Sequence, residues 1–225
     1  LTVAVVLLMM QITGPARIAL FFNQPSMITS FLTVFAFERA ASGRSRTAGA
    51  LLALAAALKL SPALFALIFL ATRDWRALAS FALTGVALAL ACYLSAPELS
   101  WQFLDNLKTI TSHSSIARVN LSLRSVLTIL DHYARGETVP GWGENMMLGP
   151  QGLAIPLWAG LVPRVLSLVA LGLALWALAP APVALRRAGL LLLIAMIVPL
   201  FGPLGWQHYL IAPVALLPMV FAQFS

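Results

Sequence analysis

Residues 48–72 read AGALLALAAALKLSPALFALIFLAT, an apolar run with a lysine, Lys59, and a Ser61-Pro62 pair at its middle. As one straight helix it would bury Lys59 at mid-membrane. It would also place the basic stretches Arg39–Arg46 and Arg73–Arg76, which flank it, on opposite sides of a bilayer. The residue before a proline avoids the α region, so the chain is expected to break at Ser61-Pro62. Two half-helices of about 12 residues, roughly 18 Å each, would return both basic stretches to one side. Half-helices of that length are tolerated in a membrane when they are packed among other helices. The bias of Lys and Arg toward the cytoplasmic side favours this hairpin over the straight span.

The rest of the chain repeats the pattern. Hydrophobic residues make up 61% of the 225, charged residues only 9%, and the mean hydropathy is +0.94. A soluble domain carries about 25% charged residues. A helix needs about 20 apolar residues to cross the hydrocarbon core. Spans are expected at 18–38, 78–95, 152–180, 188–203 and 206–223, with a partial span at 1–13. The fold class is therefore all-α, a polytopic bundle with short broken helices, forming one integral-membrane domain over 1–225. The long polar stretch 96–151 is its one long outer loop. The chain opens inside an apolar run without an initiator Met or a basic leader, the expectation for a fragment truncated at its N-terminus.

The net charge of +7 comes from Lys and Arg divided among loops, which fits topology rather than nucleic acid. Cys92, the single cysteine, excludes an intrachain disulfide. Three scattered histidines lack metal-ligand spacing, and no P-loop, nucleophile elbow or dinucleotide fingerprint is present. No metal and no cofactor are expected.

With the hairpin in place, Arg39–Arg46, Arg73–Arg76 and Arg186–Arg187 share the cytoplasmic side. Arg17, Asn23, Gln24, Lys59, the 96–151 loop and Trp206-Gln207-His208 then gather on the outer side, where an active site is expected. Lys59 is either a lysine snorkelling to headgroups or an ammonium that pairs with a lipid phosphate. Asn120 and Arg124 are four apart and would share a helix face, either a solvated face or a fork for phosphate or sugar hydroxyls. His208, between Gln207 and Tyr209, is either structural or a group that donates to phosphate or shuttles a proton. Gln24 is either the amide of a helix start before Pro25 or a ligand for a substrate hydroxyl. Around Trp101, Leu104 and Lys108 an amphipathic helix lying on the membrane is expected. Residues 134–151, rich in Gly and Pro, read as an irregular loop or lid.

Several of these stretches together resemble the family 87 glycosyltransferases. Gly49 to Pro62 matches their G-x-x-x-G/A-x-A-x-x-x-K-x-x-P run, and Arg73-Asp74-Trp75-Arg76 their R-x-W-R loop. Asn120-Leu121-Ser122-Leu123-Arg124-Ser125-Val126-Leu127 matches N-x-S-x-x-G/S-x-L, and Trp206-Gln207-His208-Tyr209 a late W-x-H-Y segment. Asn23-Gln24-Pro25-Ser26 meets a G-Q-x-N helix start only loosely. The similarity covers about residues 18–215.

The resemblance implies a GT-C membrane hexosyltransferase, a mannosyltransferase that uses a polyprenyl-phosphate sugar and an acceptor glycan or glycolipid on the outer face of a bacterial plasma membrane. It implies that Lys59 and Arg124 hold the donor phosphate and that Gln24 and Asn120 bind polar groups of sugar or phosphate. It puts His208 at the reaction centre. The catalytic carboxylate of such enzymes lies early in the chain, upstream of Leu1. The competing reading is a lipid or sugar transporter or flippase, which would place its polar groups at the bilayer midplane and show a matching pair of broken helices. A structural membrane subunit would leave Lys59, Arg124 and His208 far apart.

Overall fold

The computed structural model describes residues 19, 24–115, 120, 122–137, 152–202, 205, 207–214 and 216. Helix α1 (Ser26–Ala41) is followed by α2 (Ser45–Leu58), a 3-10 turn (Ser61–Phe65) and α3 (Ala66–Ala71). Helices α4 (Trp75–Ser95) and α5 (Pro97–Ser112) come next. They are followed by β1 (His113–Ser115), α6 (Leu123–Ala134), β2 (Gly152–Ala154), α7 (Leu157–Ala177), α8 (Val183–Phe201) and a 3-10 turn (Gln207–Leu210). The fold is all-α, apart from a three-residue antiparallel ladder that pairs His113 with Ala154.

The run 48–72 is broken where the proline rule places the break. Helix α2 stops at Leu58, and Lys59 is extended at φ −158° and ψ 126°. Pro62 enters the 3-10 turn at its second position, where its missing N–H is no loss. The two arms fold back on each other. Ser45 Oγ, at the start of α2, donates to Asp74 Oδ2, just past α3, at 2.8 Å. Asp74 also caps α4 by accepting from the Ala77 N–H at 3.1 Å, and Ser80 Oγ donates to the Arg46 carbonyl at 2.7 Å.

Arg186 brings the third basic stretch to this end. Its guanidinium donates to the carbonyls of Leu178 at 3.1 Å, Ala181 at 3.2 Å and Ala71 at 3.5 Å. The chain reverses between α7 and α8 here, so the carbonyls left open at the end of α7 find a donor. All three basic stretches therefore share one end of the bundle, as the hairpin reading requires.

Among the described residues, α4, α7 and α8 are long and apolar enough to cross a membrane. Helix α4 has 21 residues and is about 31 Å long. Of its residues only Ala77 is buried, and Leu83, Val86, Leu90 and Leu94 face outward, as expected of a helix bathed in lipid. It lies against α2 through Gly49, where an added Cβ would stand 2.1 Å from the Ala77 carbonyl oxygen. The core fills the space between the hairpin, α1 and α8, with Phe37, Leu52, Ile68, Phe69, Leu190, Leu191 and Leu216 all fully enclosed. The Phe37 and Phe69 rings lie 5.2 Å apart, within the range of favourable aromatic pairs.

Several boundaries differ from those expected. The span expected at 18–38 becomes a helix that starts after Pro25 and runs on to Ala41. The span expected from residue 152 starts at Leu157, because 152–154 pair with β1 instead. Within the stretch 96–151 the described residues form α5, β1 and α6. The amphipathic helix expected around Trp101 is there as α5, with Trp101, Phe103 and Leu104 exposed. The partial span 1–13, Arg17, Asn23, Trp206 and residues 138–151 of the stretch 134–151 expected as an irregular loop or lid lie outside the described residues.

Candidate functional site

The end of the bundle opposite the basic stretches holds the polar residues. Helix α2 has 14 residues, so Lys59 stands about 21 Å from its basic end, roughly 10 Å short of the far end of α4. The ammonium thus stands within the length of the apolar helix α4, where a charge needs partners. Lys59 Nζ donates to Ser26 Oγ at 2.9 Å and sits 3.5 Å from the centre of the Tyr209 ring. Neutral groups thus hold the charge, and no carboxylate pairs with Lys59 among the described residues.

Ser26, Thr29, Ser30 and Ser61 line a recess of about 30 Å³ around it, closed by Val198 and Tyr209. The Thr29 hydroxyl donates to the Ser26 carbonyl at 3.1 Å, and Thr33 to the Thr29 carbonyl at 2.7 Å. Helix α1 therefore turns a row of hydroxyls, rather than an apolar stripe, toward the lysine.

Asn120 is not on a helix with Arg124, as its spacing suggested. Ser122 caps α6, its Oγ accepting from the Ser125 N–H at 3.3 Å, and the helix begins at Leu123. Asn120 precedes the cap and works as a clip. Its Oδ1 accepts from the Gly205 N–H at 2.8 Å and the Ser122 N–H at 3.2 Å, and its Nδ2 donates to Ser125 Oγ at 2.7 Å.

Gly205 is wedged here. An added Cβ would meet the Pro199 carbonyl oxygen at 2.2 Å and the Ser122 nitrogen at 2.4 Å, so only glycine fits. Asn120 and Lys59 are held by the two ends of one short segment, Gly205 and Tyr209. Four residues span at most about 14 Å, so both residues are gathered at one place.

Arg124 lies in the first turn of α6 and is 4% exposed. Burial pushes its guanidinium pKa below the usual arginine range, and the positive charge of Arg164 on α7 adds to the effect. A buried arginine at a helix N-terminus is a strong attractor for an anion, since the helix dipole carries the same sign. Gln24 is exposed and stands two residues before Ser26. The His208 side chain lies outside the described residues; its neighbour Tyr209 is the ring beneath Lys59.

One polar chain was not visible in the sequence. Trp158 Nε1 donates to Asp131 Oδ1 at 2.9 Å, and Arg135 bridges Asp131 Oδ2 at 2.6 Å and Glu137 Oε1 at 3.1 Å. The other Glu137 oxygen meets His132 Nδ1, and His132 Nε2 is buried with no hydrogen-bond partner among the described residues. The signal in the sequence is faint. Arg124, Thr128 and His132 recur every four residues, which puts them on the buried face of α6. Among the described residues no His, Cys, Asp or Glu cluster could hold a metal.

A bundle with apolar spanning helices and a hydroxyl-lined ammonium at one end defines a polytopic membrane protein with a polar recess at one end. The chain belongs to glycosyltransferase family 87, whose family model matches residues 1–203. It is a membrane glycosyltransferase, with a sugar donor and an acceptor as its substrates. The match includes Lys59 and the Asn120–Leu127 segment and ends before Trp206–Tyr209. No curated protein and no solved structure matches the chain.

Proposed function

We propose that this glycosyltransferase moves a hexose, mannose by its family resemblance, from a polyprenyl-phosphate donor to an acceptor glycan or glycolipid at the outer face of the membrane. The observation that carries the reading is the Lys59 ammonium, half-buried at one end of the bundle among hydroxyls and a tyrosine ring, with no carboxylate partner among the described residues. Such a cation is free to take an anion, and the anion must reach it at membrane depth. A polyprenyl phosphate does so by construction, because its tail stays in the bilayer. The recess itself takes one water-sized group, so the phosphate rests at its mouth. The basic end of the bundle faces the cytoplasm by the positive-inside rule, which turns the recess outward.

In the transfer, the acceptor oxygen bonds to the anomeric carbon, and the bond from that carbon to the phosphate oxygen breaks. The phosphate leaves with the electron pair. Lys59 and Arg124 stabilise the charge that grows on it, in a site with less water than bulk. Asn120 holds the α6 N-terminus and Gly205 in register, so that Arg124 and Lys59 face one ligand. His208 and Gln24 complete the sugar side. The acceptor proton passes to a carboxylate in the early outer loop. No cofactor and no metal take part.

The test is donor choice in proteoliposomes. A polyprenyl-phosphate hexose supports transfer to a glycolipid acceptor, and a nucleotide sugar does not. Transfer from the nucleotide sugar alone would overturn the proposal.

A further inference from the structure

An apolar cavity of about 130 Å³ lies between α3, α7 and α8, and shares no lining residue with the Lys59 recess. Leu67 and Leu70 line it from α3, Leu171 and Leu175 from α7, and Leu190 and Ile194 from α8. Leu67, Leu70 and Leu175 are also exposed, so the cavity opens on the face where α7 and α8 meet lipid. A cavity of this size with an aliphatic lining stays dry and takes a small apolar group. Such a group restores the packing contacts that the lining atoms otherwise lack.

The cavity adjoins the basic end of the bundle. Ala71 belongs to both: it lines the cavity, and its carbonyl accepts from Arg186 Nη1 at 3.5 Å. The end of α7 is held at the same place, where Arg186 Nε donates to the Leu178 carbonyl at 3.1 Å. On α8, Ile194 is seven residues beyond Arg187, about 10.5 Å along the axis. The cavity therefore occupies the depth of the acyl chains in the leaflet at the basic end, about 15 Å thick.

Two arginines stand at its mouth. Arg187 is three residues before Leu190 and seven before Ile194, so it shares their face of α8 and leans toward the helix start. It makes no hydrogen bond among the described residues, and its Nε is buried. Asp74 is the acid whose charge reaches Arg187, but its carboxylate accepts from Ser45 and the Ala77 N–H and forms no ion pair among the described residues. Arg73 is exposed and follows Ala71 by two residues, a reach of at most about 7 Å. Both arginines therefore lie beside Arg186, whose own donors are spent on carbonyls.

A free anion would leave the cavity unfilled, and a neutral chain would leave the arginines unanswered. We propose that the α3–α7–α8 cavity and its two arginines form a site for an anionic phospholipid of the cytoplasmic leaflet. One acyl chain fills the cavity, and the phosphate accepts from Arg187 and Arg73. The lipid joins the hairpin to the α7–α8 turn and so stabilises the bundle. The site rests on the orientation of the basic end and on no part of the transferase reading.

The test is retention of dioleoyl phosphatidylglycerol against dioleoyl phosphatidylcholine by the purified full chain, read by native mass spectrometry beside the thermal midpoint. Phosphatidylglycerol is retained about 10-fold or more over phosphatidylcholine and raises the midpoint, as a ligand of the folded state does. Arg187→Gln and Arg73→Gln each weaken retention by about 10- to 100-fold, the range for loss of a charged hydrogen-bond partner. Leu175→Trp, which plugs the cavity from its exposed rim, weakens it as well. Arg44→Gln, at the same end but off the cavity, leaves it unchanged, and inorganic phosphate at millimolar concentration does not displace the lipid. Equal retention of the two lipids, or equal effects of Arg44→Gln and Arg73→Gln, would reduce the site to general surface attraction and overturn it. Full retention by Leu175→Trp, or displacement by inorganic phosphate, would overturn the acyl-chain half. If Arg187→Gln does not fold, the exposed Arg73 and Leu175 variants still decide.

Discussion

Replacing Gly205 by alanine should disable the site without unfolding the bundle. The new Cβ would lie 2.2 Å from the Pro199 carbonyl oxygen, 2.4 Å from the Ser122 nitrogen and 2.8 Å from its Cα. These are backbone atoms that cannot rotate away. Ordinary contact needs about 3.4 Å or more, so α8's end and the α6 cap must part by about 1 Å. That movement stretches the Gly205–Asn120 hydrogen bond and carries Tyr209 off Lys59. A shift of about 1 Å in a positioned site costs on the order of 100-fold in rate, or about 2.7 kcal/mol of transition-state stabilisation. The assay is kcat/KM for hexose transfer in proteoliposomes, beside the thermal midpoint of the purified protein. Gly85→Ala is the control, because nothing lies within 4 Å of its added Cβ. It should leave the rate unchanged. A Gly205→Ala protein as active as the unaltered one would refute the wedge, and with it the argument that this segment aligns Lys59 with α6.

Gly49→Leu should force α2 from α4, since even a Cβ there would stand 2.1 Å from the Ala77 carbonyl oxygen. A fall of at least about 1–3 kcal/mol in stability is expected, read as a lower melting temperature. Asp74→Ala removes both the α4 cap and the Ser45 bond, and should cost about 0.5–2 kcal/mol with kcat unchanged. In a Cys92→Ala background, cysteines placed at Ser42 and Glu98 should react with a membrane-impermeant thiol reagent from opposite sides of sealed vesicles. Labelling of both from one side would contradict the orientation.

The hairpin could be read in the sequence because one lysine and one Ser-Pro pair interrupt a run that is otherwise apolar. A cost that large at a single place has few remedies, and the chain takes the expected one. The three basic stretches could be placed together for the same reason. The amphipathic helix around Trp101 and the helix after Asn120 were legible from their spacing. The place of Asn120 was not. Four-residue spacing suggested a shared helix face, but Ser122 competes for the cap and puts Asn120 outside the helix. The β1–β2 pairing joins residues far apart in sequence through segments too short to show a period. The chain of Asp131, His132, Arg135 and Glu137 was not legible, since its ion pairing depends on the turn at Gly136 that brings Glu137 back to His132 and Arg135.

A transporter would hold its polar groups near mid-membrane. Here Lys59 stands at the end of the 14-residue α2, about two thirds of the length of the 21-residue α4 from the basic end, judged by helical rise. The most direct measurement is the rate of hexose transfer from a polyprenyl-phosphate donor by Lys59→Gln, in a preparation whose melting temperature matches that of the unaltered protein. The account predicts a loss of about 30-fold or more, the worth of a charged contact to a leaving phosphate in a site with little water. A rate equal to that of the unaltered protein would contradict the assignment of Lys59 to the donor phosphate.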